Sequence, residues 1–160
     1  MGVLQYRLDG RMLHGQVRHF ASQLNIDYFV VVNEATANDD TQVMLLELAA
    51  LNAEVEVLSP EEAFDVLDSG ELDDYRVMVV FKEIYDAEEL VKLGYDEMGK
   101  LVISGMFQNK EATKEHCGPS LFVDARDKAA LKYLLDKGVE LTHQISPEYA
   151  EKQVKDLVKL

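Results

Sequence analysis

Tyr28-Phe29-Val30-Val31-Val32 is an unbroken apolar run. A strand with one wet face alternates apolar and polar residues. A run without alternation is buried on both faces, as in a parallel sheet covered by helices. A second run of this kind is Arg76-Val77-Met78-Val79-Val80-Phe81, and Leu101-Val102-Ile103-Ser104 is a shorter one. Residues 2–8, 54–58, 121–123 and 140–145 also read as strands from their β-compatible bulk. Helical signals fill the intervals. Val17, Phe20, Ala21 and Leu24 recur at helical spacing, predicting a helix over 16–24. Asn38 is suited to cap a helix over 39–51 that is apolar on much of its surface, and such a helix packs against more than one neighbour. Ser59-Pro60-Glu61-Glu62 is a capping box with proline at the first helical position, opening a helix to about residue 68 that ends near Gly70. Helices are further expected over 86–93, ended by Gly94, over 127–137, ended by Gly138, and from Ser146-Pro147-Glu148 to about residue 158. Residues 107–119 carry no clear signal.

Strands alternating with helices along the whole chain predict an α/β fold. The expected form is a mostly parallel central sheet of about six to seven strands with helices on both faces. The last short strands leave room for an antiparallel edge. No linker, repeat or low-complexity stretch divides residues 1–160, which read as one domain.

The chemistry-bearing stretch is Tyr6-Arg7-Leu8-Asp9-Gly10-Arg11-Met12-Leu13-His14-Gly15-Gln16-Val17. It lies between the first predicted strand and the first predicted helix, and so at the carboxyl end of a strand, where ligands sit in α/β folds. Asp-Gly is also a common turn dipeptide, Arg7 reads equally as a snorkelling strand residue, and Arg11 as a solvated loop residue. The whole set supports a stronger reading. A neutral imidazole is a competent nucleophile near neutral pH. Arginines beside it can hold the oxygens of a transferring phosphoryl group. His14 is the candidate nucleophile, and Arg7 or Arg11 the charge stabiliser. Asp9 or a backbone carbonyl is expected to fix the second ring nitrogen. Gly10 and Gly15 admit close backbone approach. The backbone N–H groups that open the helix after Gln16 favour an anion. Asn33, Lys82 and Ser104, at the ends of other predicted strands, are further candidates for the pocket rim.

Composition narrows the classes. The formal net charge of −14 argues against nucleic acid and against an anionic membrane surface as partner. Between residues 5 and 19, however, Arg7, Arg11 and Arg18 outnumber Asp9, a local basic patch able to steer an acidic partner. No apolar run is long enough to span a bilayer, no signal peptide is evident, and the single Cys117 is expected in a cytoplasmic setting. No nucleotide-binding loop is present, so no cofactor is expected. His19, His116 and His143 lack metal-ligand spacing, and no metal is expected either.

The string R-x-D-G-R-x-x-H-G-Q-V, carried by Arg7, Asp9, Arg11, His14, Gly15, Gln16 and Val17, resembles the signature of the IIB components of the mannose/fructose/sorbose family of bacterial sugar phosphotransferase systems. Val30-Val31-Val32-Asn33-Glu34, Ala37-Asn38-Asp39, Val57-Leu58-Ser59, Val80-Phe81-Lys82 and Lys137-Gly138-Val139 also look like that family, so the likeness covers essentially the whole chain. It implies a protein-N(pi)-phosphohistidine–sugar phosphotransferase in which His14 accepts a phosphoryl group from a histidine of a IIA protein or domain. The group then passes to a sugar held by membrane IIC and IID partners. The implied place is the cytoplasm, in peripheral association with those membrane subunits. The chain departs from the family pattern at Ala21, where relatives commonly carry tryptophan, at Arg18-His19, and over 107–119. Sugar and partner choice are therefore not carried over. The rival readings are a non-catalytic regulatory domain and a small-molecule-binding α/β domain. The complete set Arg7, Asp9, Arg11 and His14 disfavours both, because a binding module needs no nucleophile.

Overall fold

The computed structural model describes residues 2–107 and 113–160. Its strands are β1 (Gly2–Asp9), β2 (Tyr28–Val32), β3 (Glu54–Leu58), β4 (Arg76–Phe81), β5 (Lys100–Gly105), β6 (Glu115–Gly118), β7 (Leu121–Val123), β8 (Glu140–His143) and β9 (Lys152–Gln153). The helices are α1 (Val17–Leu24), α2 (Glu34–Ala37), α3 (Asp40–Ala49), α4 (Pro60–Ser69), α5 (Ile84–Lys92) and α6 (Ala125–Asp136). Among the described residues, seven strands form one sheet in the order β3-β2-β4-β1-β5-β8-β9. All neighbours pair in parallel except β8 and β9.

The apolar runs are explained by what lies on each face. Phe29 and Val31 of β2, with Met78 and Val80 of β4, pack against Val17, Phe20 and Ala21 of α1 and Leu46 of α3. The alternate residues Tyr28, Val30, Val32, Val77, Val79 and Phe81 join the core formed with Ala63 of α4, Ala87 and Leu90 of α5, and Leu131 and Leu134 of α6. Both faces are dry, so neither strand alternates with polar residues.

Local signals govern most element ends. The Ser59–Glu62 capping box forms, and Gly70 closes α4 in the left-handed conformation at φ +81. Helix α5 starts at Ile84 rather than residue 86, because Glu83 and Asp86 make a reciprocal box of their own. Asn38 does not cap. Asn33 caps the short α2, and the Asp39 carboxylate accepts from Thr41 N–H at 3.1 Å and Gln42 N–H at 3.2 Å to start α3. Helix α3 does pack on more than one neighbour, α2, β3 and the turn at Met12–His14, but through one buried side chain, Leu46, whereas Met44, Leu45 and Leu48 are exposed.

Two expectations at the C-terminal side are corrected. Leu121–Val123 leaves the central sheet and pairs antiparallel with β6, a strand in the stretch that gave no signal, where His116 stacks on Phe122 with centroids 4.5 Å apart. Residues 108–112 of that stretch lie outside the described residues. Strand β8 pairs in parallel with β5, and the antiparallel edge is supplied by β9. The helix expected over 146–158 is replaced by a turn, β9 and a 3₁₀ turn over Val154–Asp156. The Ser146 hydroxyl bonds the Glu148 carboxylate instead of capping a helix. Gln153 and Lys152 pair with Thr142 and His143 and so satisfy the free edge of β8. Val154 and Val158, whose spacing reads as helical, are both buried by this route.

Candidate functional site

In a parallel sheet every strand ends on the same rim, so the loops leaving β1, β2 and β4 converge. Strand β1 points Arg7 and Asp9 to the α1 side, two residues apart. Both are fully buried. The Arg7 guanidinium donates to Ser104 Oγ from Nε at 3.0 Å and from Nη2 at 2.7 Å, to the Gln144 carbonyl at 2.7 Å and to Gln5 Oε1 at 3.1 Å. Its central carbon lies 3.3 Å from the Phe20 ring centroid, stacked on α1. Burial pulls its pKa down to about 9, against the opposing charges of Asp9 and Glu151, so it remains a cation at neutral pH. Arg7 thus ties β1 to β5, to residue 144 and to α1. Its donors are taken up within the fold, so of the two expected arginines Arg11 is the one exposed beside His14.

Asp9 is the second buried support. Its Oδ1 accepts the Arg11 N–H at 2.9 Å and lies 3.8 Å from Arg11 Nε. Its Oδ2 is buried and makes no hydrogen bond among the described residues. Burial raises the Asp9 carboxyl, while the Arg11 N–H and the Arg11 and Arg7 charges hold it down. Gly15 packs directly on this carboxylate: a Cβ there would lie 2.8 Å from Asp9 Oδ2 and 3.2 Å from Arg11 Nε.

The loop between them explains why His14 is presented. Met12 and Leu13 are buried beneath α1 and α3. Burying Met12 takes its backbone to φ +52, a left-handed conformation costing roughly 1–2 kcal/mol for a residue with a Cβ. The chain then closes a 3₁₀ turn, His14 N–H to Arg11 carbonyl at 3.0 Å, and the His14 side chain emerges into solvent. Among the described residues no hydrogen bond to either ring nitrogen is formed. Gln16 occupies the N-cap position of α1 without a side-chain bond, and its carbonyl accepts the His19 N–H at 3.0 Å.

His14 faces an open pocket of about 410 Å³. Gly10, Arg11 and Met12 form one wall, Lys82 lies past the end of β4, and Thr36, Asp39 and Gln42 stand opposite. The structure therefore brings together Gly10, Arg11, His14 and Lys82 of the expected set. Gly15 and Gln16 lie behind the turn. Ser104 is occupied by Arg7, and Asn33 is buried, bonding Thr36 N–H and hydroxyl through Oδ1 and donating to Asp86 Oδ2 at 3.0 Å. These two serve as supports, not as pocket lining. The sequence reading missed Met12, Thr36, Asp39 and Gln42. The loop after β2 carried the available signal, since its strand ends on the same rim. An exposed imidazole between a half-exposed guanidinium and an ammonium is equipped to accept an anionic electrophile and to hold its oxygens.

A family model described as the phosphotransferase system sorbose subfamily IIB component matches residues 3–160. A probable phosphotransferase enzyme IIB component of Streptococcus pyogenes serotype M6 is 27% identical over 161 residues, covering 98% of this chain and 99% of that protein. The mannose-specific EIIAB component of Escherichia coli K12 is 28% identical over 137 residues, 84% of this chain but 42% of its own length. Among solved structures, the IIBSor domain of the sorbose permease from Klebsiella pneumoniae superposes with a TM-score of 0.88 at 25% identity, covering 98% of this chain and 95% of that one.

Proposed function

The chain belongs to the sorbose-subfamily IIB components of the phosphotransferase system, and from that premise we propose that it is a phosphoryl carrier using His14. Membership places it in phosphoryl transfer during sugar uptake. The proposal adds the residue and the route. A free ring nitrogen of His14 attacks the phosphorus of a phosphohistidine on a IIA donor. The new N–P bond forms as the donor's N–P bond breaks, and the donor leaves as neutral imidazole. In the second step a sugar hydroxyl attacks the same phosphorus, the N–P bond to His14 breaks with His14 leaving as neutral imidazole, and the hydroxyl proton passes to water as the phosphate ester forms. The sugar is presented by membrane IIC and IID partners at the cytoplasmic face.

The observation that carries this reading is the exposure of His14 in a pocket walled by Arg11 and Lys82. Arg11 and Lys82 neutralise phosphoryl oxygens as charge shifts between the two nitrogens. Arg7, Asp9, Ser104 and Gly15 hold the loop. No described helix is long and apolar enough to cross a membrane. The test is incubation with the general phosphocarriers, phosphoenolpyruvate and a IIA donor, read by intact mass. A single phosphoryl adduct, lost on adding membranes containing IIC and IID with their sugar, is the expected result. No adduct under conditions that phosphorylate the donor contradicts it.

A further inference from the structure

Two glycines beside the His14 pocket lack a backbone reason to be glycine. Neither Gly10 nor Gly105 adopts a left-handed φ, so other residues fit their conformations. What excludes a side chain at both is one ring. A Cβ on Gly105 would lie 2.4 Å and 2.5 Å from carbons of Phe107, and one on Gly10 would lie 2.7 Å from the same ring. After Phe107, the nearest group to a Gly10 Cβ is the Lys82 carbonyl at 3.9 Å. The two backbones are joined by Gly10 N–H to Gly105 carbonyl at 3.2 Å. Phe107 is thus seated on a bare platform where β1 and β5 end.

Arg11 lies over the same ring, its guanidinium carbon 4.9 Å from the centroid. On its other side its Nε is 3.8 Å from Asp9 Oδ1. Nearly half of the side chain remains open to solvent. An arginine that stabilises charge only when phosphorus arrives gains from being held there beforehand, because less side-chain freedom is lost at the moment of transfer. We infer that Phe107 is a positioning residue: its ring, seated on Gly10 and Gly105, holds the Arg11 guanidinium at the mouth of the His14 pocket. Gly10 and Gly105 are glycine to admit that ring. The inference rests on the phosphoryl-carrier reading for the use made of Arg11, but not for the contact itself.

The test uses the full chain and two readouts. In ¹⁵N NMR, the Arg11 Nε–H resonance of the unmodified protein carries the ring-current shift of Phe107 and reduced picosecond–nanosecond mobility. Phe107→Leu moves the resonance to an ordinary arginine position and mobilises it, whereas Phe107→Tyr keeps both properties. Gly105→Ala retains Phe107 but denies the ring its seat, and gives the same Arg11 signature as Phe107→Leu. Phosphoryl transfer from IIA falls about two- to fivefold in Phe107→Leu, the loss expected of one cation–ring contact at an exposed site. It falls no further when Phe107→Leu is added to Arg11→Ala. An unchanged Arg11 resonance in Phe107→Leu overturns the inference, as does a rate loss that persists in the Arg11→Ala background. A wild-type protein that accepts no phosphoryl group sinks the carrier reading while leaving the NMR comparison to decide the contact.

Discussion

At the scale of single residues, the His14 loop is ordered from below. Asp9 and Gly15 fit one another so closely that a methyl group is excluded between them. An alanine here would set its Cβ against the Asp9 carboxylate. Gly15→Ala is expected to lower stability by about 1–3 kcal/mol, the range for overpacking a tight site. It should also slow phosphoryl transfer, because the buried carboxylate that pins the Arg11 N–H must move. Thermal denaturation and a transfer assay check both; a variant with wild-type melting and rate would show that the site absorbs the methyl group. Arg11→Ala has a different signature. It removes the cation proposed to act as charge shifts between nitrogens, a loss typically worth about 10²–10³ in rate. Saturation with the IIA donor should change little. Wild-type turnover in this variant would reduce Arg11 to a solvated loop residue.

At the scale of elements, α1 places a basic surface beside the site. Its inner face, Val17, Phe20 and Ala21, is buried, and Arg18 and His19 on its first turn face solvent next to the His14 turn. An acidic partner approaching the pocket meets these residues on the way. Arg18→Glu should slow transfer from IIA at low salt and converge on wild type at high salt, where charges are screened over about 3 Å at 1 M. Equal rates at low salt would assign docking to apolar contacts. The elements also show what the sequence made legible. Strands β2 and β4 were readable to the residue because burial on both faces leaves continuous apolar runs, and the edge strand β3 because Val55 and Val57 alternate with Glu54 and Glu56. The Ser59 box was readable because capping is local. The end of the chain was not: Val154, Leu157 and Val158 fit a helical spacing equally well. The pairing that made residues 152–153 a strand comes from the free edge of β8, which no local pattern records. Likewise, that Arg7 and Ser104 meet depends on β1 and β5 being neighbours, and the sequence separates them by most of the domain.

At the scale of the whole molecule, the net charge of −14 makes the basic rim around Arg11, Arg18 and Lys82 a local exception on an acidic protein. Stability depends on pH through buried carboxyls, and Asp86 is the clearest case. It accepts from Asn33 Nδ2 at 3.0 Å and Glu83 N–H at 2.9 Å, clasping the end of β2 to the start of α5. Burial nonetheless raises its pKa from 3.8 to about 6, the Asn33 and Glu83 bonds opposing the rise. Its folded pKa lies above its unfolded value, so the folded state binds more protons between about pH 4 and 6. The Asp86 contribution to stability therefore falls as pH rises through that window and levels off above it. Asparagine can accept both bonds without a charge. In urea unfolding at several pH values, Asp86→Asn should gain on wild type by on the order of 1–3 kcal/mol between pH 4 and 7. A constant difference across that range would place the ionisation elsewhere. One exposed imidazole, His14, is proposed to carry the phosphoryl group for the whole protein. The most direct test is tandem mass spectrometry of peptides from the phosphorylated protein, digested at alkaline pH where phosphohistidine survives. The adduct is expected on His14 alone and absent from the His14→Ala protein; an adduct on His19, His116 or His143 in place of His14 would contradict the account.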